Sequence, residues 1–195
     1  MNHSNDMNMH KNMTSSNILE DLLLFEMSRR NADLVVDLIT QKPELFEELF
    51  SIFTKNAEPA SRRAAWVMDL VTEKHPDLIM PYLNKLVDLL DTFRHDGLKR
   101  HSIRILSRSP FPSDTHLGLL ISICFKWLLS PDEAVAVKMF CMEMLYRVSR
   151  IEPDLKKELA DSIELRIAEG SPGFKNRGNK VLVKLHSEIE NGIIP

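Results

Sequence analysis

The sequence predicts an all-α protein, a right-handed α-α superhelix of about five helical hairpins. Three observations support this. First, a phrase is repeated: Asp37-Leu38-Ile39-Thr40-Gln41-Lys42-Pro43-Glu44-Leu45 returns as Asp69-Leu70-Val71-Thr72-Glu73-Lys74-His75-Pro76-Asp77-Leu78, with one residue inserted before the proline. A Ser-Arg-Arg accompanies each copy, at Ser28-Arg29-Arg30 and Ser61-Arg62-Arg63. A period of roughly 30 to 40 residues belongs to stacked helical pairs. Second, no segment alternates apolar and polar residues with period two, so no strand is expected. Third, the chain holds only six glycines, too few for a turn-rich sandwich or a glycine-looped α/β enzyme.

Prolines and caps divide the chain. Asn17 with Glu20 three residues on resembles a capping box for a first helix over 17–28, followed by a second over 31–41. Pro43 opens a helix over 43–55 whose apolar face is Leu45, Phe46, Leu49, Phe50 and Phe53. Pro59 opens 59–74, with Ala64, Val67, Met68 and Val71 on one stripe. Pro76 opens 76–93; Pro81 inside it removes a backbone donor and should kink it. His95-Asp96-Gly97 breaks the chain, and Asp96 is placed to cap a helix over 96–108. Ser109-Pro110-Phe111-Pro112 is the next breaker, with Ser113 capping 113–129. Ser130-Pro131-Asp132-Glu133 combines a cap, a proline at the first helical position and a glutamate three beyond, predicting a helix over 131–150. Pro153 and Ser171-Pro172 open 153–169 and 172–190. Taken in pairs these segments make five hairpins. Residues 1–16 read as a disordered polar tail and 17–195 as one domain.

Composition excludes several classes. Hydrophobic residues are 44% and charged residues 27%, ordinary for a soluble globular chain, and the net charge of -3 recruits neither nucleic acid nor anionic membrane. No apolar run reaches the about 18 residues that span a bilayer, and the N-terminus has no secretory h-region; Met7, Met9 and Met13 leave room for a later start. Cys124 and Cys141 sit in apolar stretches and read as buried, reduced thiols of a cytoplasmic protein. The chain lacks G-x-G-x-x-G, P-loop, G-x-S-x-G, H-E-x-x-H and paired C-x-x-C patterns. The histidines show no chelating spacing on one helix face, and His3 and His10 in the tail offer only adventitious metal binding. No catalytic residue, metal site or cofactor is expected.

The turn Glu58-Pro59-Ala60-Ser61-Arg62-Arg63-Ala64-Ala65 resembles that of HEAT repeats, with an arginine early in the second helix and a small pair after it. Ser130-Pro131-Asp132-Glu133-Ala134-Val135-Ala136-Val137-Lys138 matches less well, with lysine for arginine, and the kink at Pro81 fits a first helix. The resemblance covers about residues 30–190 and implies a HEAT-like solenoid whose second helices line the concave face.

In register, the second helices place Asp37, Asp69, Arg104 and Glu143 at one equivalent position. Opposite the core stripe stand Arg62, Trp66, Asp69 and Glu73, then His101, Arg104 and Arg108, then Phe140, Glu143 and Arg147. The candidate binding row is therefore Arg62, Trp66, Asp69, His101, Arg104, Arg108, Glu143 and Arg147. The same charges could instead form an inter-repeat ladder of ion pairs, and Trp66 is either a groove anchor or a side chain covered by a neighbouring helix. Residues 94–112 carry a net charge of +4 and residues 1–57 a net of -4.

The leading functional expectation is a non-catalytic scaffold holding a protein or peptide partner on the concave face. A second rests on resemblance to the HEAT-like DNA alkylation-repair glycosylases, which use tryptophan, aspartate and arginine from consecutive second helices; Trp66, Asp69 and Arg104 supply those types, against an acidic net charge. A third is a self-associating module, a homodimer formed through the Phe-rich helix 43–55 and Ile193-Ile194-Pro195.

Overall fold

The computed structural model describes residues 15–192; the tail through Thr14, with His3 and His10, and Ile193–Pro195 lie outside the described residues. Among those described there are ten α-helices and no strand. They are α1 (Ser15–Phe25), α2 (Arg29–Gln41), α3 (Leu45–Thr54), α4 (Ala60–Lys74), α5 (Leu83–Leu89), α6 (Asp96–Arg108), α7 (Asp114–Leu129), α8 (Val135–Val148), α9 (Leu155–Ile167) and α10 (Pro172–Glu190). The chain folds into two compact units that divide within α4, between Val71 and Thr72.

In the first unit α1 packs against α2 and α3. Helix α1 begins at Ser15, and Asn17 falls inside its first turn. The connection to α2 is fixed by side chains. Ser28 Oγ accepts from the Asn31 amide at 3.1 Å, and Asn31 Nδ2 donates to the carbonyls of Leu22 and Glu26 at 2.8 and 3.1 Å. Those bonds satisfy donors at the start of α2 and acceptors at the end of α1 that the helices leave unpaired. The second Ser-Arg-Arg does different work. Ser61 is fully buried inside the first turn of α4. Its Oγ donates to Ile52 O at 2.7 Å and accepts from the Ala57 amide at 2.9 Å, closing the turn between α3 and α4.

Phe46, Phe50 and Phe53 of α3 are all buried. The Phe-rich helix therefore belongs to the core and offers no apolar surface to a second copy. Apolar exposure falls instead on α1, the turn after it and α2, where Ile18, Phe25, Met27 and Leu34 stand in solvent.

In the second unit the proline kink appears as a change of helix type. Residues 76–82 form a 3-10 helix containing Pro81, and a regular α-helix resumes at Leu83. Helices α5, α7 and α9 neighbour one another in one layer, and α6, α8 and α10 form the second. Helix α8 touches α6, α7, α9 and α10, which explains why Val137, Cys141, Met142, Met144, Leu145 and Val148 are all buried. Gly178 of α10 lies where a Cβ would stand 3.1 Å from Ile163 of α9, a close approach that a larger residue would force apart.

Two starts differ from the local signals. His95, not Asp96, caps α6: its Nδ1 accepts from the Gly97 amide at 2.9 Å, and Asp96 is the first helical residue. Helix α8 begins at Val135 rather than near Pro131. Glu133 forms an ion pair with Lys99 of α6 and accepts from the Ala134 amide, so its carboxylate does not close the expected box with Ser130. A tertiary ion pair has displaced a local cap.

Candidate interaction surface

The predicted row is carried by α4, α6 and α8, and its members do not share one environment. On α4, Arg62 pairs with Glu58 one turn earlier at 3.0 Å. Trp66 is half-buried and lines a gap with Leu23, Met27, Ala32 and Arg63. The gap measures about 10 Å³, room for one water at most. The turn between α1 and α2 thus covers the indole, and Arg63 locks that cover by donating from Nη1 to Leu23 O at 2.9 Å.

Asp69 is 0% exposed, so it presents no carboxylate to a partner. Its earlier counterpart Asp37 is exposed. The trio of Trp66, Asp69 and Arg104 therefore lacks the open aspartate that the glycosylase resemblance requires. His101 is also buried, at 7% exposure, with Nε2 3.2 Å from Arg100 Nη2.

Arg104 and Arg108 are half-exposed on α6 and both reach Glu73, at 3.8 and 3.9 Å. An ion-pair ladder exists here, and it includes Glu73, one turn beyond Asp69. Glu143 of α8 continues it in the other direction, pairing with Arg177 of α10 at 2.7 Å. Arg147 plays a different part. Its Nη1 donates to Leu106 O and Ser107 O at 3.0 and 3.2 Å, closing the end of α6, and its guanidinium stacks 4.1 Å from the Phe111 ring centre. Burial pulls the Arg147 guanidinium below its usual pKa.

Sequence reasoning missed α10. Arg177, Lys180 and Lys184 line a shallow hollow along that helix, and Lys184 sits 5.3 Å over the ring of Tyr146. Tyr146 donates to Glu188 at 2.6 Å, while Lys156, 5% exposed, pairs with the same carboxylate at 3.1 Å. The Tyr146 bond and Lys156 hold Glu188 below the ordinary carboxylate range, and burial together with Glu188 raises the Tyr146 hydroxyl. Four cations on one helix, Lys175, Arg177, Lys180 and Lys184, were the available sequence signal.

Cys124 and Cys141 are free and buried. Burial, with Cys124 adjoining, pushes the Cys141 thiol well above its ordinary value, which leaves it unreactive. Among the described residues no group of His, Cys, Asp and Glu could hold a metal ion, and no helix is long and apolar enough to cross a membrane.

A family model described as HEAT repeat domain matches residues 19–185, most of the chain. No curated protein and no solved structure matches it.

Proposed function

Because the chain belongs to the HEAT repeat family, we propose that it is a non-catalytic scaffold holding a protein or peptide partner on the exposed face of its second helices. HEAT repeats commonly mediate protein interactions. The partner face is argued from the layer of α6, α8 and α10. Its exposed edge bears Arg104, Arg108, Arg177, Lys180 and Lys184 against Glu73 and Glu143. A surplus of cations on a ridged helical face suits an acidic segment, because rim charges steer and orient a partner. In the first unit, Arg62 is the row member with the more accessible charge, and Trp66 supports the α1–α2 turn.

A photo-crosslinking residue placed at 104 or 177 tests this, with position 157 on the exposed flank of α9 as the control. Crosslinks to one protein from 104 and 177, absent from 157, are expected. Equal labelling from all three, or labelling from 157 alone, overturns the reading. The double reversal Arg104→Glu with Arg108→Glu should weaken the crosslinked partner's binding about tenfold or more.

A further inference from the structure

A cleft of about 520 Å³ opens in the second unit, away from the edge just described. It is bounded by the segment leading into α8 and the loop joining α9 to α10. Its volume is that of an ordinary small-molecule pocket. Two cations, Lys138 of α8 and Arg166 of α9, line it together, and Phe174 and Val135 add apolar wall. Gly170 makes the wall: a Cβ there would stand 2.6 Å from the Phe174 ring, so any other residue would push the ring aside.

Neither cation has a close, buried ion-pair partner among the described residues. Lys138 is 8% exposed; among the described residues its ammonium donates to Pro131 O at a long 3.3 Å, and the charges of Glu133 and Asp132 act on it from nearby. Burial and the neighbouring Arg166 depress its pKa. Arg166 Nε is buried without a hydrogen-bond partner. Two carboxylates also reach the cleft, and both are weak competitors. Glu133 is engaged by Lys99 and the Ala134 amide. Glu169 is 75% exposed and meets Arg166 at 3.4 Å across one turn, an arrangement worth little in water. Burying the Lys138 ammonium and the Arg166 Nε side by side costs free energy that a bound anion would recover in part. The positive end of the long helix α10 opens at the same place, where Ser171 caps it.

We propose that this cleft is an oxyanion site. It takes the phosphate or carboxylate head of a small molecule against Lys138 and Arg166, with an apolar body lying on Phe174 and Val135. The site is separate from the partner face, so either can fail without the other.

Calorimetric titration of the full chain with phenyl phosphate, inorganic phosphate and benzoate, at chloride-matched ionic strength, tests it. Phenyl phosphate should saturate and bind more tightly than inorganic phosphate, since only the former uses the aromatic wall. Benzoate binding more tightly than phenyl phosphate would assign a carboxylate head. Arg166→Gln should weaken binding about tenfold by removing a charge-assisted donor. Glu169→Gln changes an exposed residue and leaves the core untouched; it should strengthen binding about threefold by removing the competing charge. Failure of every ligand to saturate by about 10 mM, or equal affinity in wild type and both variants, overturns the proposal.

Discussion

The recess beside Trp66 and the cleft beside Phe174 are built oppositely. Around Trp66 the packing is closed: Leu23, Met27 and Ala32 line the same gap as the indole, Arg63 ties down the end of α1, and about 10 Å³ is left. Beside Phe174 about 520 Å³ stays open; Gly170 leaves room for the ring, and Lys138 and Arg166 stand in the wall. A conspicuous residue type is thus a poor guide to a site. A tryptophan beside arginines looks like an anchor, yet its neighbours use it as packing. Two ordinary cations on different helices, short of acceptors, make the better ligand site.

The largest effect that sharpens this comparison is on stability. Phe174 is 2% exposed, so Phe174→Ala should cost about 3–5 kcal/mol. Trp66→Ala, at a half-buried position, should cost about half as much, and urea unfolding of both variants reads the ordering. A greater loss at Trp66 would show that closure of the recess, and not the burial of the ring, sets the cost.

Next comes the repeated tripeptide. Ser61→Ala strands the Ala57 amide and removes a bond to Ile52 O, an expected loss of about 1–3 kcal/mol. Ser28→Ala removes one helix cap, a loss of about 1 kcal/mol. Equal losses by the same measurement would show that the two copies do the same work.

The smallest effect concerns acid stability. Glu188 has a folded pKa below its ordinary 4.5. The stability it contributes is therefore present above about pH 4.5 and is lost as pH falls through the lowered folded value. Glu188→Gln should flatten the fall of melting temperature below pH 4.5 and leave the slope near neutrality unchanged. An unaltered acid limb would show that the Tyr146–Glu188–Lys156 cluster contributes nothing.

Helix identity and order were legible because they are local. Apolar spacing and prolines placed α6 and α10 to the residue, and the Pro81 break appeared where the missing donor required it. Features set by tertiary contact were not legible. Glu133 left its capping role for Lys99, Asp69 is buried where Asp37 is exposed, and the Phe-rich α3 turned inward. The cleft had only a faint signal, a single lysine in the apolar run from Ala134 to Met142. Its partner Arg166 joins it through the packing of α8 on α9, which no spacing along the chain reveals.

The contrast between closed and open recesses is tested most directly by a two-dimensional amide spectrum of the full chain titrated with phenyl phosphate. The two tryptophans, Trp66 and Trp127, supply indole signals as internal reporters. Saturable shifts confined to residues near Lys138, Arg166 and Gly170–Phe174, with the Trp66 indole unmoved, are expected. A Trp66 indole that shifts while the Gly170–Phe174 amides stay still would contradict the assignment of the open cleft as the ligand site.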